Sequence, residues 1–163
     1  MKLASLREGG RDGTLVVVSR DLTRAVAVPD IASTMQAALD QWAELSPRLL
    51  TVADAIEDDS IETINGVAVM ALDMESLAAP LPRAYEFVDG SAYLPHVERV
   101  RRARGAEVPA SFYVDPLMYQ ATSAGFLGPR DPVKVPSVEM GIDLEAEVLI
   151  VTNDVPMGVS ADT

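Results

Sequence analysis

Two glutamates, Glu145 and Glu147, stand two residues apart in the stretch "GIDLEAEVLIV" (Gly141–Val151). The aliphatic, β-branched character of that stretch predicts a buried strand. In a strand, residues two apart share a face. Asp143, Glu145 and Glu147 therefore line one side, and Ile142, Leu144, Ala146, Val148 and Ile150 the other. Burying an unpaired carboxylate is costly, so three on one face of a core strand need a reason. Carboxylates whose Cβ atoms lie roughly 7 Å apart can converge on one cation. Hard divalent ions such as Mg²⁺ or Ca²⁺ select oxygen ligands of this kind. The same spacing also suits an antiparallel strand with one face in water. Leu149 and Val151 continue the acidic side and weigh against a fully wet face.

His96 is the only histidine in the chain, and Asp89 precedes it by seven residues. Imidazole is the usual general base near neutral pH. Taken alone, a lone histidine is more often a surface or capping residue than a catalyst. An aspartate before "GSAY" is equally at home in a turn or at a helix start.

These residues need a scaffold, and the chain is long enough for one large domain or two small ones, with 163 residues of which 48% are hydrophobic. Acidic residues outnumber basic ones 25 to 13, a formal charge of −12. That balance argues against nucleic acid or an anionic membrane as partner and suits a soluble cytoplasmic protein. There is no cysteine, so neither disulfides nor thiolate chemistry enter. No apolar run is long enough to span a bilayer, and "MKLASLREGG" lacks the apolar stretch of a signal peptide.

Lys2–Leu6, Thr14–Arg20 and Thr23–Pro29 are predicted strands, the first two joined by the glycine-rich "REGGRDG". Met35, Leu39, Trp42 and Leu45 recur at helical spacing, predicting an amphipathic helix over Ser33–Leu45 with Ser33 as N-cap. A second helix is expected over Ser46–Asp58, with Ser46 as N-cap and Pro47 in its first turn. "DDSIETINGVAVM" reads as a polar turn leading into a strand. Two prolines in "LAAPLPRAYEF" (Leu77–Phe87) oppose helix and ladder alike. A boundary is placed there, giving domains 1–78 and 79–163. Pro95 is tolerable only in a first helical turn, so a helix of roughly three turns should end near Gly105. "SFYVDPLMYQ" reads as extended, and "AGFLGPRDPVKVP" as a turn-rich loop with a short strand, before the acidic strand.

The order "DGSAYLPH", then "DPLMYQATSAGFLGPRDPV", then "GIDLEAEV" resembles the fumarylacetoacetate hydrolase family. The resemblance covers essentially the whole chain and is strongest from Pro82 to Ser160. No single motif is specific, but the ordered set is. It implies an α+β or mainly β fold: a small SH3-like or α/β N-terminal domain, as in shorter bacterial members, followed by the first part of a mixed β-sandwich roll. It implies that Asp89, Glu145 and Glu147 are ligands of Mg²⁺, or of Ca²⁺ or Mn²⁺, and that His96 is the base that activates water. Tyr119, ahead of the Gly128–Pro129 turn, would contact substrate. Arg104 lies near, though not on, the position where the family keeps a substrate-binding arginine. The implied substrate is a small 1,3-diketo acid such as fumarylacetoacetate or an acylpyruvate. Decarboxylases, isomerases and hydratases share the same scaffold.

The family adds a further Asp ligand, a carboxylate orienting the histidine, and a Lys and Gln around the substrate from chain beyond these positions. Asn153–Asp154 follows the E-x-E strand too closely to be that ligand and is expected in a hairpin after it. The chain is therefore expected to be the N-terminal half of such an enzyme, active with a C-terminal half or as a homodimer. The alternative is a non-catalytic fragment or one half of a complementing pair. Unpaired sheet edges would favour association.

Overall fold

The computed structural model describes residues 1–160, which divide into two units, Met1–Pro132 and the chain from Val133 onward. The architecture is mixed α+β with several small antiparallel sheets.

The first unit is built on β1 (Lys2–Leu6), β2 (Thr14–Val18) and β3 (Arg24–Ala27). They pair antiparallel in sequence order, Leu6 opposite Thr14 and Val17 opposite Val26. The period-2 alternation of β2 explains why it is buried on both faces. Leu15 and Val17 face a cluster with Val26, Val28, Met35, Leu45, Leu49, Val52 and Ile56. Val16 and Val18 face Leu6, Ala25 and Leu77 on the other side. The first cluster is filled by α1 (Met35–Asp40) and α2 (Trp42–Ala55). Leu49 on α2 has no exposed surface. Leu49→Ala should therefore cost about 2–5 kcal/mol of unfolding free energy, measurable by urea denaturation. A loss under about 1 kcal/mol would mean that the site collapses around the deletion.

The helices differ from the periodicity reading. The single Ser33–Leu45 helix is broken at Gln41, and α2 runs unbroken from Trp42 through Pro47. Thr34 is the N-cap of α1, its hydroxyl accepting from the Ala37 N–H at 3.1 Å. Trp42 is exposed instead of in the core. Pro47 removes the N–H that would bond the carbonyl four residues earlier, that of Ala43. Ala43 is exposed, so water can serve that carbonyl and the helix continues.

Beyond α2, β4 (Thr63–Ile64) and β5 (Val67–Ala68) form a two-stranded hairpin. Its turn is Asn65–Gly66, with φ of 51° and 78°. Asn-Gly supplies the two positive φ values that such a turn needs. β6 (Met70–Ala71) then returns to the main sheet beside β3. Arg24 ties these pieces together, donating to the carbonyls of Ile56 (3.0 Å), Asp58 (2.8 Å) and Ile61.

The proline segment runs along β1. Ala78 N–H donates to the Ser5 carbonyl at 2.9 Å, and Ser5 Oγ to the Pro80 carbonyl at 2.6 Å. Arg83 grips Asp12 through two bonds of 2.8 and 2.7 Å. Further on, Gly128 N–H donates to Asp131 at 2.7 Å, and Asp131 pairs with Arg7 at 2.8 Å. A Cβ at Gly128 would lie 2.6 Å from the Leu77 carbonyl oxygen, so only glycine permits this approach.

Hydrogen bonds hold four carboxyls below the usual aspartate range. Those of Asp12 come from Arg83, and those of Asp131 from Arg7 and the Gly128 N–H. Ser19 and Thr23 serve Asp21, and Ser60 serves Asp58. A depressed folded pKa contributes stability that is present above the unfolded value, near 3.9. That contribution is lost as pH falls through the lower folded value. Thermal midpoints should therefore drop as the pH is lowered beneath about 4. A midpoint that rises with acidification would contradict these pairings.

In the second unit, the strand expected over Gly141–Val151 is not formed. The short strand expected within 124–136 and the hairpin expected after Val151 are not formed either. The only regular turn of helix there, among the described residues, is a 3₁₀ segment, Val138–Met140. A backbone turn at Pro156–Val159 closes at 3.1 Å. Alternation states which side chains would share a face; it cannot supply the neighbouring strand whose N–H and C=O groups make a ladder. With no such neighbour among the described residues, Leu144 is 94% exposed and Ile150 77%.

Candidate functional site

Asp89 and Tyr119 are brought together. β7 (Val88–Ser91) and β8 (Leu117–Gln120) pair antiparallel, with Asp89 directly opposite Tyr119. Directly opposed residues put their side chains on the same side of a sheet. The Tyr119 phenol donates to Asp89 Oδ2 at 2.9 Å. Asp89 is half-buried and Tyr119 is 54% exposed. The reading of "SFYVDPLMYQ" as wholly extended is corrected: Ala110–Tyr113 is a 3₁₀ turn, and only Leu117–Gln120 is strand. Phe87 and Phe126 stack edge-to-face beside the β7–β8 pair, 5.2 Å between centroids.

His96 sits in the first turn of α3 (Leu94–Ala103), which packs against β7. Pro95 precedes it in that turn, where the missing N–H costs nothing. The backbone N–H of His96 donates to the Tyr93 carbonyl at 3.0 Å, and its side chain is exposed. Val97 is the buried residue of the helix. Arg101 lies 5.0 Å over the Phe112 ring, and the Tyr113 hydroxyl donates to Glu98 at 3.2 Å. Burial first, and Glu98 second, push the Tyr113 phenol above its ordinary value. Arg104 is the C-cap of α3 and is exposed. Gly105, with φ of 65°, ends the helix as expected.

Glu145 and Glu147 belong to the second unit and are exposed, as is Asp143, whose carboxylate accepts from the Leu144 N–H at 2.9 Å. Among the described residues, no group of three or more histidine or acidic side chains is gathered so as to hold a metal ion. The donor set itself, three carboxylates, is the kind that a hard divalent cation selects. Among the described residues these three carboxylates are not gathered into such a set.

The sequence reading missed two things. The Asp89–Tyr119 bond depends on the register of two strands separated by α3, and no local signal announces it. Arg7 and Asp131, which fix the Gly128 turn, lie 124 positions apart. The only hint was an acidic residue three positions after a turn glycine.

Residues 1–83 match the family described as Fumarylacetoacetase N-terminal domain 2, just over half of the chain. Residues 86–163 match Fumarylacetoacetate (FAA) hydrolase C-terminal. The chain belongs to the fumarylacetoacetate hydrolase family. It is a hydrolase- or decarboxylase-type member of it, and members commonly use divalent metal ions. No curated protein matches the chain. Among the described residues, no helix is long and apolar enough to cross a membrane.

Proposed function

We propose that this chain belongs to a metal-dependent hydrolase that cleaves a carbon–carbon bond in a 1,3-diketo acid such as fumarylacetoacetate or an acylpyruvate. The observation that carries the reading is local. The β7–β8 pair sets Asp89 opposite Tyr119, and α3, which connects the two strands and packs against β7, carries His96. An acid, an imidazole and a phenol, in that chain order, are thus carried on adjoining elements.

Asp89, Glu145 and Glu147 would hold Mg²⁺, Mn²⁺ or Ca²⁺. When bound, such an ion supplies Lewis-acid stabilisation of an enolate. His96 takes a proton from water, directly or through one further water. The hydroxide so formed adds to one carbonyl carbon of the substrate. The bond to the carbon between the carbonyls then breaks, and its electron pair stays on that carbon as an enolate. Protonation of that carbon completes a ketone, and the attacked carbonyl leaves as a carboxylic acid. Tyr119 and Arg104 are the side chains of this chain that would meet a polar, anionic substrate. Residues 1–78 take the role of the small SH3-like or α/β N-terminal domain, and residues 79–163 that of the opening part of the mixed β-sandwich roll.

A second reading is favoured by one observation. Residues 141–151 carry a strand-like pattern but no ladder, as in one half of a complementing pair or a non-catalytic fragment. A homodimer or a C-terminal half would then complete the site. The test is cleavage of acetylpyruvate by the purified chain with excess Mg²⁺ or Mn²⁺, alone and mixed with a separately made C-terminal half. The proposal expects cleavage in the mixture. No cleavage by any combination would overturn the diketone reading.

A further inference from the structure

Charge is unevenly spread along this acidic chain. Arg99, Arg101, Arg102 and Arg104 are four of its 13 basic residues, and they fall on α3 and its C-cap. No lysine or arginine follows Lys134, whereas six acidic residues do. Helical periodicity puts Arg99 and Arg102 about one turn apart, on the side opposite Val97, the buried residue of α3. Both are exposed, and neither forms an ion pair among the described residues. Arg101 is held differently, over the Phe112 ring. In the second unit Asp143, Glu145 and Glu147 are all exposed. Neither Asp143 nor Glu147 pairs with a basic side chain among the described residues. Leu144, Val148 and Ile150, on the alternate positions, are exposed as well.

We propose that the solvent face of α3 is an interface for a second copy of this chain, with Arg99 and Arg102 taking the acidic row Asp143, Glu145 and Glu147 of that copy. This gives the homodimer of the second reading a contact surface and rests on that reading. Spacing suits the exchange. Helix residues three apart hold their Cβ atoms about 5–6 Å apart, and alternate residues of an extended chain lie roughly 7 Å apart. Flexible arginine stems span the difference, and a guanidinium can bind a carboxylate through two bonds. In a two-fold dimer each copy gives one arginine face and one acidic row, so the contact forms twice. The formal charge of −12 on each copy opposes association. At physiological ionic strength such fields fade over about 8 Å, so the overall repulsion is screened while charges in direct contact are not. The charges set register and partner choice. Covering Leu144, Val148 and Ile150 adds the apolar gain. A carboxylate that accepts from an arginine keeps further lone pairs, which leaves room for the ion proposed above.

The experiment is sedimentation equilibrium of the whole chain at physiological ionic strength, without added divalent metal. It compares the native chain with two charge-reversed variants: Arg99→Glu with Arg102→Glu, and Asp143→Lys with Glu145→Lys and Glu147→Lys. The native chain should dimerise. Each reversed variant alone should raise the dimer dissociation constant at least about tenfold, because like charges then meet at both contacts. Mixed in equal amounts, the two variants should form a heterodimer of near-native affinity, since both contacts regain opposite charges. All the substituted positions are exposed, so both variants should keep close to the native unfolding midpoint. Reversed variants that dimerise as the native chain does overturn the interface and leave the homodimer standing. A mixture that yields no heterodimer overturns the interface too. A native chain that stays monomeric overturns the interface and the homodimer together. If a reversed variant fails to fold, Arg99→Gln with Arg102→Gln serves instead. A raised dissociation constant then supports the interface, and an unchanged one overturns it.

Discussion

Replacing His96 by alanine in the intact protein is expected to lower the rate of diketone cleavage roughly 10²–10⁴-fold, the usual contribution of a positioned general base. Metal affinity should stay as it was. The expected separation follows from position. His96 lies exposed in the first turn of α3, next to Val97, the buried residue of that helix. As at most exposed positions, the truncation should leave the unfolding midpoint close to the native one. A rate equal to that of the native enzyme would assign His96 to the surface. A fall in rate accompanied by loss of metal would instead make it a ligand.

The second large effect concerns the acidic pair. Glu145→Gln combined with Glu147→Gln keeps the shape of both side chains and removes two negative charges. If these carboxylates hold the cation with Asp89, Mn²⁺ binding measured by calorimetry should vanish. Both residues are exposed, so thermal stability of the metal-free chain should hardly change, as for most surface substitutions. Binding equal to that of the native chain would remove both residues from the metal site. In the chain alone the native affinity is expected to be weak, because no three-ligand group is gathered among the described residues. It should tighten when residues 141–151 gain a ladder partner, since strand pairing turns alternate side chains to one face.

Much of the first unit was legible from the sequence. Alternation, glycine-rich loops and β-branched runs located β1, β2 and β3 because the sheet buries both faces of β2. Pro95 and Gly105 framed α3 because each acts through local backbone chemistry. The helices misled where a local rule met tertiary packing. Pro47 reads as a helix start, yet α2 carries it internally, at a place where the residue four earlier, Ala43, is exposed and water can serve its carbonyl. The Asn65–Gly66 hairpin sits in a segment that reads as a polar turn leading into a strand, and the strand before the turn is not anticipated. The acidic strand failed for a different reason. A period-2 pattern describes a face, but a strand exists only with a neighbour. For the candidate site, the family resemblance singles out Asp89, His96 and Tyr119, and spacing alone does not. The bond between Asp89 and Tyr119 depends on long-range register, which spacing does not encode.

The most direct test of the central claim, that Asp89, Glu145 and Glu147 are ligands of one divalent cation, is anomalous diffraction at the manganese edge from crystals of the intact protein grown with Mn²⁺. The account predicts one strong peak with an oxygen from each of the three carboxylates within about 2.0–2.6 Å. Manganese bound elsewhere, with these three carboxylates turned away from it, would contradict it.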